Sequence, residues 1–206
     1  MRLILVRHAE SVWNEQGKYQ GSADIPLSER GKREAGALAE RLKSEKIDAA
    51  YSSNLSRAYD TARIISESHG LNVQAVPELA EMNFGEWEGL TYLEIKERFG
   101  EESFQTWMHD PERVDIPGGE KFADFADRIE LAMAWIVALH SDNETILIVA
   151  HGASLMVYGC RLNKEALSCY RRYVHRNAAF SIVEFRGDSI VFEVINDFTH
   201  LDGFES

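Results

Sequence analysis

Two aliphatic runs in this chain stop at a histidine. LILV, residues 3–6, leads into Arg7-His8, and TILIVA, residues 145–150, leads into His151-Gly152. Runs this short fall far below the ~18 residues that span a bilayer, and their apolar character marks them as buried strands. Between and around them, apolar runs alternate with segments whose apolar residues recur at helical spacing. That alternation predicts a three-layer α/β/α sandwich with a mostly parallel central sheet.

The local signals fill in the layers. Ser28 reads as the N-cap of a helix carrying Ala35, Leu38, Ala39 and Leu42, and 47–51 reads as the second strand. Helical spacing of Ala58, Thr61, Ala62 and Ile65 predicts a helix over 57–69, closed by Gly70 at C′. A short strand follows over 71–76. Thr91 and Glu94 form a capping box for a helix that Gly100 ends, and 101–109 reads as another short helix. DPERVDIPGGE, 110–120, reads as loop, 121–140 as a long helix, and a short helix starts at Ser154. The end reads as a hairpin, 180–185 with 190–195, around a type II′ turn at Gly187-Asp188. With no internal repeat or linker, residues 1–206 read as a single domain.

Composition narrows the function classes. A hydrophobic content of 45% and a charged content of 27% describe a globular chain, and the net charge of −12 argues against nucleic acid or an anionic membrane as a partner. Met1 leads straight into the first strand without a signal-peptide pattern. Cys160 and Cys169 make neither a CxxC pair nor a disulfide framework, so a reduced, cytoplasmic setting is expected. Neither cysteine has an arginine six residues on, and no P-loop, GxGxxG, GxSxG or HExxH motif is present.

In open α/β sheets, ligands bind beyond the carboxyl ends of the strands. Three expected strands end in reactive or cationic groups there: Arg7 and His8, then Ser52 and Ser53 followed by Arg57, then His151 and Gly152. Guanidinium forks match phosphate oxygens bidentately, and a neutral imidazole is a ready nucleophile. Neighbouring arginines favour the neutral form of His8, whereas a bound phosphate favours the charged one. A departing alkoxide needs a proton, and Glu81, preceded by Leu79-Ala80 and followed by Met82, has the most apolar surroundings among Glu78, Glu81, Glu86 and Glu88.

Plainer readings stand beside these. Polar residues at strand ends are often satisfied structural groups, so the recurrence of two histidines and two arginines is what points to a site. His69, His109 and His140 read as solvated helix ends. His175, in RRYVHR at 171–176, is either part of a basic patch near substrate or part of a surface run. Trp13, Trp87, Trp107 and Trp135 read as core or cleft wall, with the wall expected over 107–113 and 171–176. The arginine beside His8 disfavours a bound cation, so neither metal nor cofactor is expected.

At this point the motifs match a known family. VRHAES resembles the Arg-His-Gly signature of the histidine phosphatase superfamily, which includes the cofactor-dependent phosphoglycerate mutases. The likeness continues through GSADIPLSERGKREA, YSSNLSRAYDTA, AEMNFGEWEGL, PGGE and VAHGA, in order along nearly the whole chain. The resemblance implies a phosphoglycerate mutase-like fold. It also implies that His8 is a nucleophile forming a phosphohistidine, that Arg7, Arg57 and His151 complete a phosphate pocket, and that Glu81 is the proton donor. By the same match Asn14, Gln20 and Gly21 help bind substrate, and Gly152 lies beside His151 in the pocket. Ala9 departs from the family's usual glycine; if its backbone needed positive φ, the Cβ would cost ~1 kcal/mol.

The resemblance leaves three activities to weigh. Mutases of this family carry an insertion after the acid segment, with an Arg-Arg pair, that shields the phosphohistidine from water. Only 37 residues separate Glu81 from Gly119 here, and NDFTHL, 196–201, resembles the small bacterial phosphatases. The expected function is therefore hydrolysis of small phosphorylated metabolites, with mutase activity as the alternative and an inactive phospho-ligand binding module as a third reading. Physiological substrate and oligomeric state have no signature in the chain.

Overall fold

The structure, a computed structural model, describes residues 1–187 and 189–204. In chain order the elements are β1 (Arg2–Arg7), α1 (Val12–Glu15), α2 (Glu29–Leu42), β2 (Ala49–Ser52), α3 (Ser56–Glu67), β3 (Val73–Ala75), α4 (Tyr92–Phe99), α5 (Glu101–His109), α6 (Phe122–Ala138), β4 (Thr145–Ala150), α7 (Gly152–Leu162), β5 (Phe180–Arg186) and β6 (Ser189–Asp197). Among the described residues the strands form one six-stranded sheet in the order β3-β2-β4-β1-β5-β6. The first four are mutually parallel, β5 runs antiparallel to β1, and β6 runs antiparallel to β5.

Both faces of this sheet are covered, which is why its central strands are apolar throughout. On β1, Leu3 and Leu5 point into one core with Phe125, Val157, Ile95 and Phe104, while Ile4 and Val6 point into the other with Leu38, Ala58 and Ile65. Strand β4 splits the same way: Ile146, Ile148 and Ala150 to the first core, Leu147 and Val149 to the second. So α2 and α3 cover one face and α4 to α7 the other. No helix among the described residues is long and apolar enough to cross a membrane.

The topology selects the working edge. Strand β4 lies between β1 and β2, parallel to both. After β4 the chain turns into α7 on one face; after β1 and β2 it passes to α2 and α3 on the other. Divergence of neighbouring connections opens a crevice at the carboxyl ends of the strands.

Several elements differ from the expectation in ways with local causes. Helix α3 stops at Glu67, so Gly70, with φ of +66°, lies beyond C′; Leu71 N donates to Ser66 O at 3.2 Å across the turn. Helix α7 begins at Gly152 rather than Ser154 and runs 11 residues, with His151 itself at the N-cap. The loop over 110–120 contains a 3₁₀ turn, Pro111–Arg113. Gly187 has φ of +59°, but the expected type II′ turn includes Asp188, which lies outside the described residues. His140 is not a solvated helix end: its Nε2 meets the Tyr51 hydroxyl at 2.8 Å. Trp135 is 46% exposed, on the outer side of α6, and so is neither core nor cleft wall.

Candidate active site

The β1–β4 register brings the two strand-terminal histidines together. Arg7 pairs with Ala150, so His8 and His151 leave the sheet at one level, with ring centroids 5.1 Å apart. The His8 backbone is held three ways. Its N–H donates to Ala150 O at 3.0 Å, and its carbonyl accepts from Ala178 N at 3.2 Å and Asn177 Nδ2 at 3.0 Å. The His8 ring is only 3% exposed, and Nδ1 lies 2.7 Å from Ala9 O. A carbonyl can only accept, so Nδ1 carries the proton and Nε2 keeps its lone pair on the cleft side.

In the free site, burial weighs first on the charge of His8. Burial, then Arg57, then Arg7 hold the His8 imidazolium well below its ordinary value, against a weaker pull from Ala9 O. The free site therefore holds a neutral imidazole at His8. His151 is pushed the same way, by burial, Arg57, His8 and Arg7. It is fully buried, and neither ring nitrogen finds a partner among the described residues.

Arg57 enters from the first turn of α3 and is fully buried. Its Nη1 donates to Ala23 O and its Nη2 to Gly21 O, both at 2.7 Å, and Nε has no partner among the described residues. Burial lowers its pKa to about 10, which leaves it charged at neutral pH. Gly21, at φ of +54°, needs to be glycine: a Cβ there would stand 2.2 Å from Glu88 Oε1. Glu88 ties that loop to the next by accepting from Ser22 N at 2.7 Å and Phe84 N at 3.1 Å. Arg7 is half-buried, donates from Nη1 to His175 O at 2.7 Å, and has an unpartnered Nε; Gly152 lies against its guanidinium. Burial lowers the Arg7 pKa, against the pull of Glu81 and Glu34.

Glu81 accepts Met82 N on Oε1 and Ala153 N, in the first turn of α7, on Oε2, each at 3.0 Å. Burial raises its pKa and outweighs these two donors and the two arginines, which lower it. Arg128 on α6 sets the approach: Nη1 donates to Glu78 O at 2.6 Å and Ala80 O at 3.0 Å, while Nε and Nη2 fork onto Glu120.

Every expected site residue except His151 lines one cleft of about 290 Å³, and His151 lies just beneath, against His8. Asn14 and Gln20 are there as loop anchors. Asn14 Oδ1 accepts from Ser11 N, and the Ser11 hydroxyl reaches Asn14 Oδ1 at 3.0 Å and Gln20 Oε1 at 2.6 Å, serving one at a time. Their amide NH₂ groups have no partner among the described residues. Ala9 has no positive φ, so its Cβ costs nothing; its N–H donates to Thr61 Oγ1 at 3.1 Å. A larger cavity of about 750 Å³ shares Arg7 in its lining but contains none of His8, His151 and Glu81.

The wall differs from the expected one. Trp107 lines the cleft but residues 108–113 do not, and of 171–176 only Arg171 does. His175 is neither basic patch nor surface: it is 5% exposed, with Nε2 2.6 Å from Ser181 Oγ and its carbonyl holding Arg7. Burial lowers its pKa to about 4. Sequence reading missed Tyr19, Phe84, Met156 and Lys18 in the wall. It also missed Asn177, which donates to His8 O and to Asn14 Oδ1 at 3.1 Å across a separation of 163 residues, where no spacing rule operates.

A family model described as histidine phosphatase superfamily, branch 1, matches residues 3–198. Phosphoserine phosphatase 1 of Hydrogenobacter thermophilus is 36% identical over 204 residues, 99% of this chain and 96% of that protein. The metal-independent phosphoserine phosphatase of Arabidopsis thaliana is 35% identical over 202 residues, 97% of this chain and 82% of that protein. Among solved structures, Bacillus stearothermophilus YhfR superposes with a TM-score of 0.90 at 30% identity, covering 97% of this chain and 98% of its own.

Proposed function

The chain belongs to the histidine phosphatase superfamily, and on that premise we propose that it is a metal-independent phosphomonoester hydrolase of small phosphorylated metabolites, acting through a phosphohistidine. The observation that carries this reading is the Nδ1 contact to Ala9 O, which leaves Nε2 of a neutral His8 as the free nitrogen among Arg7, Arg57 and His151.

In the first step the Nε2 lone pair attacks phosphorus in line with the ester oxygen. Arg7, Arg57 and a His151 N–H hold the equatorial oxygens, the P–O bond breaks, and protonated Glu81 gives its proton to the leaving oxygen. In the second step water attacks phosphorus, the P–N bond breaks, Glu81 takes a proton from the water, and the phosphate departs with His8 neutral again. The Asn14 and Gln20 amides and the Gly21 and Gly152 N–H groups supply further donors to substrate. Gly21 contributes a second time, because its carbonyl aims Arg57. A cluster of guanidinium groups disfavours a divalent cation, in keeping with a mechanism that needs none.

Residues 1–206 act as one domain in this reading. Cys160 and Cys169 are unpaired, in keeping with a reducing, cytoplasmic setting. The net charge of −12 favours a small-molecule partner over nucleic acid or membrane. The test is rapid mixing with an aryl phosphate followed by a denaturing quench. An acid-labile, base-stable phosphoenzyme is expected in the native protein and none in His8→Ala. Phosphate release at native rates from His8→Ala would overturn the reading. With 3-phosphoglycerate, isomerisation dependent on 2,3-bisphosphoglycerate and faster than phosphate release would establish the mutase alternative instead.

A further inference from the structure

Most basic side chains of this acidic protein are engaged in ion pairs. Among the described residues, half of those without a carboxylate partner line the one cleft: Arg7, Arg57, Lys18 and Arg171. The other four, Arg33, Arg98, Lys164 and Arg176, lie on separate elements. Arg7 and Arg57 flank His8 and are accounted for by the transferred phosphoryl group. Lys18 and Arg171 have no part in that chemistry.

They stand on two different walls. Lys18 follows α1, and Arg171 lies on the 3₁₀ segment Leu167–Tyr173. Among the described residues neither cation has a carboxylate within ion-pair distance, and the carboxylates closest to them in sequence or in charge have partners of their own. Glu94, which feels the Lys18 charge, accepts from Thr91 N and Thr91 Oγ1, both at 2.8 Å. Glu165 pairs with Arg172 at 3.2 Å. The Arg171 guanidinium donates to Met108 Sδ at 3.4 Å, a weak acceptor, and lies beside the neutral phenol of Tyr170; neither partner is a carboxylate. The two cations share a neighbourhood: the Arg171 charge reaches the phenol of Tyr19, the residue next to Lys18. The same cleft is lined by the apolar side chains of Tyr19, Phe84, Trp107 and Met156.

We propose that Lys18 and Arg171 form a second anion subsite, so that the preferred leaving group carries its own anionic group, a carboxylate or a second phosphate, on a short apolar body. This inference rests on the phosphatase reading above. A cation lining a cleft without a carboxylate partner has an open demand for a charge-assisted bond, and two such cations in a cleft that also carries apolar side chains match a body of a few carbons ending in an anion.

Three matched substrates test it: propyl phosphate, 3-phosphooxypropanoate and propane-1,3-diol bisphosphate. The native enzyme should favour at least one anionic ester over propyl phosphate by about tenfold in kcat/KM, the size of one charge-assisted bond. The ester favoured more strongly identifies the subsite's anion as carboxylate or phosphate. Lys18→Gln and Arg171→Gln should each cut that preference by about threefold or more, and together bring it near parity, while propyl phosphate loses no more than about threefold. Arg171→Lys should retain more of the preference than Arg171→Gln. Arg172→Gln, whose parent side chain lies outside the cleft, should leave the preference within about twofold.

A native enzyme without preference would overturn the subsite. So would variants that lose the same factor on all three esters, or an Arg172→Gln loss as large as the Arg171→Gln loss. If no ester is hydrolysed, the phosphatase reading fails, and calorimetry on His8→Ala still reads the subsite. Equal affinity for the three ligands there would sink it, and tighter binding of an anionic one, lost with Lys18 and Arg171, would support it.

Discussion

The ends of β1 and β4 begin alike, an aliphatic strand running into a histidine, and finish differently. His8 has its backbone bonded to Ala150, Ala178 and Asn177, and its Nδ1 bonded to Ala9 O. His151 caps α7 and has two buried ring nitrogens with no partner among the described residues. A nucleophile needs one nitrogen fixed as a donor so that the other holds a lone pair in a constant direction; an oxyanion ligand needs a donor with no prior commitment. On the proposed mechanism one strand motif yields two roles, and the difference lies in the bonds each ring makes rather than in residue type.

The largest test separates the two rings. His8→Ala should lose on the order of 10⁴-fold or more in turnover and form no phosphoenzyme. His151→Ala should lose about 10²–10³-fold, as for loss of one donor to the developing charge, and still accumulate phosphoenzyme. A phosphoenzyme that disappears in His151→Ala and persists in His8→Ala would reverse the assignment.

Glu81→Gln sharpens the contrast through the leaving group. An alkyl phosphate needs the proton and should slow by about 10²–10⁴-fold, whereas a nitrophenyl phosphate needs it less and should slow far less in the first step. In the proposed mechanism His151 meets the phosphoryl group and not the leaving oxygen, so its loss should be similar for both esters. Equal losses for both in Glu81→Gln would remove Glu81 as the acid.

The pH profile follows from the same environment. His8 must be neutral to attack, and burial with Arg57 and Arg7 lowers its pKa, so the acid limb of kcat/KM should lie below the ordinary imidazole range. Glu81, raised by burial, must be protonated and sets the alkaline limb. Arg57→Gln removes a positive charge that disfavours imidazolium, so the His8 pKa rises and the acid limb moves to higher pH. Comparing variant with native on one ester cancels the substrate's own ionisation. An acid limb that stays fixed or moves down would mean that another group sets it.

The strand ends were legible because chemistry there is local. Arg7-His8, Arg57 and His151 each follow an apolar run, and register alone brings them together. The place of Glu81 in the cleft was legible in part from its apolar neighbours and in full only from the family resemblance. The supports were not: Arg128 reaches Glu78 O and Ala80 O from α6 across 50 and 48 residues, and Glu88 reaches Ser22 across 66. His175 misled because RRYVHR reads as charged surface, whereas the polypeptide turns its imidazole inward onto Ser181. Strand β3 was overextended in the reading because Gln74 and Ala75 at the sheet edge are exposed, so composition there carries little register information.

Asn177 gives the smallest effect and the finest test of the β1 end. Its Nδ2 bridges His8 O at 3.0 Å and Asn14 Oδ1 at 3.1 Å, so it fixes the peptide that carries the His8 ring and does not touch that ring. A neutral hydrogen bond contributes about 0.5–1.5 kcal/mol, so Asn177→Ala should cost up to about tenfold. The loss should fall on kcat with KM little changed, and by a similar factor for alkyl and nitrophenyl esters, because the defect lies in the aim of Nε2 rather than in proton delivery. The equivalent deletion on the β4 side cannot be made with a side chain, since there His151 is seated by the backbone of α7, where Leu155 N donates to His151 O at 3.1 Å. A KM effect with kcat unchanged would place Asn177 on the substrate itself. A loss confined to thermal stability would make its bridge to His8 structural, leaving Ala9 O and the Ala150 pairing to hold the ring unaided.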